Sequence, residues 1–429
     1  MVKVEGLQRY VHLKNDYKEA IIVHPIMRGG IVPEETRKNL FDEGWTRIGY
    51  STCFDCIEGR SGLISKPPIA DFLEDIAKFF GGDRAEHTFG CRAAQFAVMK
   101  AISDYVDKEG SGDYTRIVLS DPLCHYTTAI AAEATGLRMI EAPHSGYAEY
   151  KVEAERFREK VEQIKKETGK LPGLIIVTHA EPYYGNLNPA EEIGEIAEEY
   201  DVPYMVNAAY TAGVMPVNMR ELRADFLTVS AHKSMASLGP LGFLVTNYEW
   251  AKRVFQTSRT VAEWSGRAFG KKIPNIFGCS VGGVPLISAM YSFAYVVERV
   301  GRWNEELEKT RWFIREIEKL DDVMLIGERP HRHHLLHLET PIFWEISKRH
   351  KRRGFFLAEE MIKRGIVGLH RGLSKHVKLS LYGLERHEIE RVKEAFYGIA
   401  ENHAQRFEIE LPSAQRTVRN TRGKHNEGS

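Results

Sequence analysis

A lysine set between two apolar runs carries the chemistry of this sequence. Asp225-Phe-Leu-Thr-Val-Ser-Ala-His-Lys233-Ser places a short apolar, β-rich segment, Phe226 to Val229, before Ser230, Ala231, His232 and Lys233. A second apolar run, Gly239 to Thr246, follows at once. A strand of this kind delivers its last residues to the carboxyl edge of an open α/β sheet, where such sheets bind ligands. Burial beside a histidine lowers a lysine's pKa and frees its amine as a nucleophile. The chemistry that fits is a Schiff base to pyridoxal phosphate, although Ser-x-His-Lys by itself fits a surface lysine at a strand end equally well.

The elements that must position Lys233 repeat in a βαβ rhythm. Asp71 to Phe80 has helical periodicity and ends at Gly81-Gly82, and Thr88-Phe-Gly-Cys-Arg92 turns into a second helix, Ala93 to Tyr105. Free N–H groups and the positive end of that helix, with Arg92 beside them, suit an anion. Arg116 to Ser120 reads as a strand leading to Cys124-His125-Tyr126 and a helix through Ala134. Leu174 to Thr178 and Pro203 to Asn207 read as further strands, with a helix from Pro189 to Tyr200 between them. The fold expected is α/β, a large mainly parallel sheet flanked by helices.

Composition sets wide bounds. The 429 residues hold 59 basic and 59 acidic side chains, 43% hydrophobic residues and five cysteines. Zero net charge gives no global attraction to nucleic acid. No apolar run reaches the ~18 residues of a membrane helix, and no signal peptide is read at the start. An odd cysteine count in a long chain suits a reducing cytoplasm rather than a disulfide scaffold.

Four segments are expected. Residues 1–60 form an N-terminal arm carrying the loop Cys53-Phe-Asp-Cys56, whose C-x-x-C fits redox chemistry, half a zinc site or chance. Residues 61–300 form the large domain, 301–405 a smaller α+β domain, and 406–429 a disordered tail. In the smaller domain, strands are expected at Val323–Ile326, His334–Glu339 and Val377–Tyr382. The histidines from His331 to His337 alternate without a carboxylate partner, which disfavours a metal. Lys348 to Arg353 reads as a basic loop, the best local candidate to touch a phosphate backbone.

In order along the chain, Phe89-Gly-Cys-Arg-Ala, Cys124-His-Tyr, Tyr184-Gly-Asn-Leu, Val206-Asn-Ala-Ala-Tyr210 and Ser230-Ala-His-Lys-Ser-Met-Ala resemble a fold-type-I pyridoxal phosphate enzyme. With Lys66-Pro-Pro-Ile-Ala-Asp-Phe72, the C-x-x-C loop, Gly278-Cys279 and Lys378-Leu-Ser-Leu-Tyr-Gly383, the sequence is similar to the archaeal O-phospho-L-seryl-tRNA:cysteinyl-tRNA synthases from about Arg28 to about Ala400. That family replaces the phosphate of phosphoserine on tRNA(Cys) with sulfur. The resemblance implies that Lys233 binds the cofactor and that His125 stacks on its ring. Gly90, Cys91, Arg92, Ser230, Ala231 and His232 would surround the phosphate and nearby ring atoms. Asn207 stands where transaminases place an aspartate against the ring nitrogen. An amide forms no ion pair there, which makes the ring a weaker electron sink, suited to losing a good leaving group.

The resemblance also assigns sulfur chemistry to Cys53, Cys56 and Cys279. A thiolate accepts sulfur as a persulfide and delivers it to a dehydroalanyl acceptor, and a neighbouring thiol releases the product by forming a disulfide. Three cysteines also suit an iron–sulfur cluster with one open iron position. Implied partners are phosphoseryl-tRNA(Cys), a second copy of the chain and the phosphoseryl-tRNA synthetase. Phe89, Cys91 and the run His24 to Arg28 depart from the family pattern. They leave room for a paralogue acting on a different phosphorylated amino acid or carrier; the alternative reading is a cysteine desulfurase or a lyase acting on a free phosphorylated amino acid.

Overall fold

A computed structural model describes residues 8–11, 13–47, 51–52, 67–109, 112–270, 272–276, 281–320 and 322–407. Its main element is a seven-stranded sheet. In chain order the strands are β1 (Arg84–Thr88), β2 (Ile117–Ser120), β3 (Arg138–Glu141), β4 (Leu174–Thr178), β5 (Tyr204–Asn207), β6 (Phe226–Val229) and β7 (Gly242–Thr246). Across the sheet they run β1-β7-β6-β5-β4-β2-β3. Only β7 opposes the others: β2 pairs in parallel with β3 and β4, β4 with β5, and β5 with β6, while β6 and β1 both pair with β7 antiparallel. The mainly parallel sheet expected from the βαβ rhythm is therefore present.

Central strands β2, β4, β5, β6 and β7 are buried along their whole length, so they read as continuous apolar runs rather than alternations. Helices α2 (Ile69–Phe79), α3 (Cys91–Lys108), α4 (Thr127–Ala134), α5 (Ala154–Thr168) and α6 (Ala190–Glu199) cover the sheet. After α7 (Tyr248–Val254), the long α8 (Gly283–Gly301) packs against α1 (Glu34–Asp42), where Thr36 Oγ1 and Ser292 Oγ lie 3.1 Å apart.

A second core belongs to the small sheet of β8 (Met324–Leu325), β9 (Leu335–Glu339) and β10 (His376–Ser380), antiparallel in that order. Helices α9 (Trp303–Ile317), α10 (Pro341–Arg349), α11 (Phe356–Lys363) and α12 (Arg386–Phe407) pack around it. Ile21 and Val23 from the amino-terminal arm are buried in this core, and Ile21–Ile22 pairs in parallel with Ile366–Val367. The arm then returns to the large sheet.

That return fixes the turn carrying Lys233. Gly30 lies so close to it that a Cβ there would stand 2.0 Å from His232 O. Ala236 N–H donates to Gly29 O at 2.9 Å. Buried Arg299 on α8 joins the same knot, donating from Nη2 to Gly29 O (2.9 Å) and Ser234 O (2.6 Å) and from Nε to Gly213 O (2.9 Å). Its guanidinium lies over the rings of Tyr295 and Tyr382.

Two elements differ from the sequence reading. The histidine run does not alternate along a strand, because β9 begins only at Leu335, after His331, His333 and His334 have been buried in the preceding loop. Lys348 and Arg349 belong to the last turn of α10 rather than to a loop, and Lys348 and Arg352 pair with Glu345 and Glu359. Removing the Arg299 head strands the carbonyls of Gly213 and Ser234 and leaves Gly29 O with Ala236 N–H alone. The variant Arg299→Met should lose roughly 3 kcal/mol of stability, read by thermal or denaturant unfolding. An unchanged unfolding curve would show that the knot carries no weight.

Candidate active site

The carboxyl ends of β5 and β6 and the start of α3 meet around Lys233. Sheet register sets Asn207 opposite Thr228 and Thr178, so these side chains share one edge. Lys233 follows β6 in a single helical turn, Ala231–Ser234, and its Nζ lies 5.0 Å from the centre of the Tyr210 ring. Burial lowers the Lys233 pKa, which favours the free amine. Among the described residues it has no carboxylate partner within ion-pair distance.

Gly90 opens α3 with φ +80°, a backbone that suits glycine, while a Cβ on the facing Gly242 would meet the Gly90 carbonyl carbon at 2.5 Å. The resulting close approach of β7 to the helix start leaves the first turn of α3 as a backbone cradle, with exposed Arg92 at its mouth. His232 closes the other side, where its Nδ1 lies 2.9 Å from Leu241 O.

Cys91 and Asn207 form a pair that the sequence did not announce. Cys91 Sγ lies 3.2 Å from Asn207 Oδ1 and 3.3 Å from Thr228 Oγ1. Ala209 N–H also donates to Asn207 Oδ1, at 3.1 Å, which fixes the amide orientation and leaves Nδ2 as the donor end of the amide. Burial pushes the Cys91 thiol up to about 11, so Cys91 is a neutral packing and hydrogen-bonding group here. Cys124 is likewise buried and pushed up to about 12.

His125 stands after β2, with Nδ1 3.0 Å from Thr127 Oγ1, which donates to Gln95 Oε1 at 3.2 Å. Burial and then the Lys233 charge lower its pKa to about 4, so the ring is neutral at physiological pH. His179 and His333 flank Tyr210. His179 Nδ1 lies 3.0 Å from Thr211 Oγ1, and His333 Nε2 donates to Tyr210 O at 3.1 Å. Burial lowers them to about 4 and about 3. Gln95 and Thr127 were missed in the sequence reading because isolated polar core residues carry no spacing signal, and Tyr210 and His333 were noted only within a motif and a histidine run, with no role at the site.

The residues present fit pyridoxal phosphate. A glycine cradle at a helix start suits its phosphate, Lys233 is a half-buried amine without a carboxylate partner among the described residues, and Gln95 Nε2 and Tyr210 Oη are buried polar atoms without a partner among the described residues. Cys53, Cys56 and Cys279 lie outside the described residues. Among the described residues, no group of three or more His, Cys, Asp or Glu side chains is placed to hold a metal.

Comparison with known proteins gives this geometry a family. A family model, the O-phosphoseryl-tRNA(Sec) selenium transferase SepSecS, matches residues 117–402. O-phospho-L-seryl-tRNA:Cys-tRNA synthase 2 of Archaeoglobus fulgidus is 46% identical over 375 residues, covering 87% of this chain and 92% of the relative. The chain belongs to the O-phospho-L-seryl-tRNA:Cys-tRNA synthase family. The Methanocaldococcus jannaschii synthase is 43% identical over 364 residues, covering 85% and 90%. A solved chain from the SepCysS-SepCysE N-terminal domain complex superposes with a TM-score of 0.81 at 41% identity, over 92% of this chain and 99% of that one. The apo cysteine desulfurase of Thermococcus onnurineus NA1 shares the fold alone, with a TM-score of 0.69 and 16% identity, over 94% and 99%.

Borohydride treatment of the cofactor-loaded protein should fix pyridoxal phosphate to Lys233, and Lys233→Ala should be colourless. Cofactor mapped to another lysine would overturn the assignment. Cys91 and Cys124, held as buried thiols, should resist iodoacetamide at neutral pH in the folded protein and react fully after denaturation.

Proposed function

We propose that this chain converts O-phospho-L-seryl-tRNA(Cys) to L-cysteinyl-tRNA(Cys), replacing phosphate with sulfur from a persulfide or sulfide donor. The observation that carries the reading is a Lys233 site built on Asn207 within a chain 46% identical to a synthase of that name over nearly its full length. When bound, pyridoxal phosphate supplies the electron sink for loss of the proton at Cα. Lys233, whose amine form burial favours, is the group proposed to move that proton. Asn207 presents an amide donor to the ring instead of a carboxylate, which limits the sink to what expulsion of a phosphate needs. His125, neutral and braced by Thr127, offers an uncharged face for ring stacking. The first turn of α3, with Arg92, Ser230, Ala231 and His232, would hold the cofactor's phosphate.

Cys53, Cys56 and Cys279 are the proposed sulfur carriers, as persulfides or as ligands of a small iron–sulfur cluster. Sulfur delivered from a persulfide, with release through a second thiol, leaves a disulfide that an external thiol reductant must reopen. The working assembly proposed is a homodimer that takes phosphoseryl-tRNA from its synthetase. The SepCysS-SepCysE complex supports an accessory protein in that assembly. No described helix is long and apolar enough to cross a membrane.

Cysteine replacement tests the sulfur route. Alanine at Cys53, Cys56 or Cys279 should leave the cofactor spectrum intact and cut cysteine formation at least tenfold, with partial rescue by a strong external thiol. Full activity in all three variants would remove them from the reaction. Free cysteine supplied without RNA should yield no alanine, and rapid alanine release would favour a desulfurase instead.

A further inference from the structure

Strand β10 has two unlike faces. Val377 and Leu379 point into the second core, so His376, Lys378 and Ser380 share the opposite face. Across the ladder, Lys378 stands opposite His337 and His376 opposite Glu339. A polar face of an antiparallel sheet ordinarily meets water. This one meets the loop after β4. Lys378 Nζ donates to Pro182 O, its ammonium lies 5.7 Å from the Tyr183 ring, and His337 Nδ1 lies 2.9 Å from Tyr183 O. That loop leaves the large sheet beside the cofactor site, because His179 N–H donates to Asn207 O at 3.0 Å. The face is thus a wall that the small domain contributes at the edge carrying Lys233.

The charges on this wall are unbalanced. Half-buried Lys378 has no carboxylate within 4 Å among the described residues, although burial lowers its pKa. The buried Glu181 carboxylate is the anion it feels, yet both Glu181 oxygens are spent on the N–H groups of Tyr183, Tyr184 and Asn186. Glu339 accepts from Tyr147 Oη and faces Lys375 at 3.8 Å. A carbonyl accepts only, so His337 carries its proton on Nδ1, and its Nε2 takes the Nδ1–H of His376 at 3.3 Å. This chain of hydrogen bonds engages His376 through Nδ1. A half-buried ammonium held by a carbonyl and a ring face, with no carboxylate beside it, gains strongly from an anion with matching oxygens.

We propose that Lys378, with His376 beside it on the same strand face, binds a phosphomonoester dianion, namely the side-chain phosphate of the substrate's phosphoseryl group. The inference rests on the RNA-linked phosphoserine reading. It adds a second phosphate locus, on the small domain, separate from the cradle at the start of α3. The small domain thereby reads whether the seryl group is phosphorylated.

Equilibrium binding to the cofactor-loaded enzyme without a sulfur donor tests this, using RNA joined by an amide to phosphoserine or to serine. The wild type should prefer the phosphorylated RNA by about 10- to 100-fold, the span of one or two charged contacts. Lys378→Met should bring the preference close to one while seryl-RNA affinity and the unfolding midpoint hold, and Lys378→Arg should restore most of it. A preference retained by Lys378→Met would overturn the proposal. So would an equal loss for both RNAs, which would place Lys378 on the RNA backbone or in the fold alone. Titration with inorganic phosphate separates the two readings. Lys378-dependent phosphate binding by an enzyme that never converts phosphoseryl-RNA would uphold this site and refute the proposed function.

Discussion

A buried cation on α8 holds the reactive lysine in place. The burial of the Arg299 guanidinium is tolerable only because the carbonyls of Gly29, Gly213 and Ser234 surround it. Those three carbonyls come from the amino-terminal arm, the segment after β5 and the turn bearing Lys233. One guanidinium therefore sets the position of the nucleophile relative to Asn207 and Tyr210. Glycine at position 30 is the complementary constraint, since any side chain there would enter the backbone of His232. The arm is part of the site's frame.

Around that frame the protein suppresses charge. His125, His179, His232 and His333 all have lowered pKa values through burial, and Cys91 is held as a thiol. A low-polarity surround makes each remaining charge count for more. The basic side chains around the site, Lys233, Arg92 and Lys378, stand on separate elements: the turn after β6, the start of α3 and strand β10. A phosphorylated cofactor and a phosphorylated substrate each require compensation, and two separated basic loci meet that need better than one.

The central strands were legible because burial on both faces makes them short apolar runs; β6 lies at Phe226–Val229, where the sequence placed it. The edges were not. β1 is Arg-Ala-Glu-His-Thr, with Glu86 and His87 buried despite their polarity, and β3 is Arg-Met-Ile-Glu. Neither has an apolar run, and both are recognisable only once a neighbour strand is in place. Helix α5, rich in Lys and Glu with only Phe157, Val161 and Ile164 buried, was passed over for a similar reason. At the site, Lys233 and Asn207 could be found from strand ends, and Arg92 from a helix start. The Cys91–Asn207 contact joins positions 116 residues apart and required the sheet register itself. The histidines before β9 gave a pattern that suggested a strand face, whereas tertiary packing against Trp303 and Tyr382 governs them.

The most direct test of the account is the identity of the acyl group on the RNA after reaction. The cofactor-loaded enzyme would be incubated with phosphoseryl-tRNA(Cys), sulfide and a thiol reductant, and the aminoacyl-adenosine released from the RNA weighed by mass spectrometry. The account predicts cysteinyl-adenosine, formed with one inorganic phosphate released for each sulfur gained. Phosphoseryl-adenosine recovered unchanged, or phosphate released with no sulfur incorporated, would contradict it.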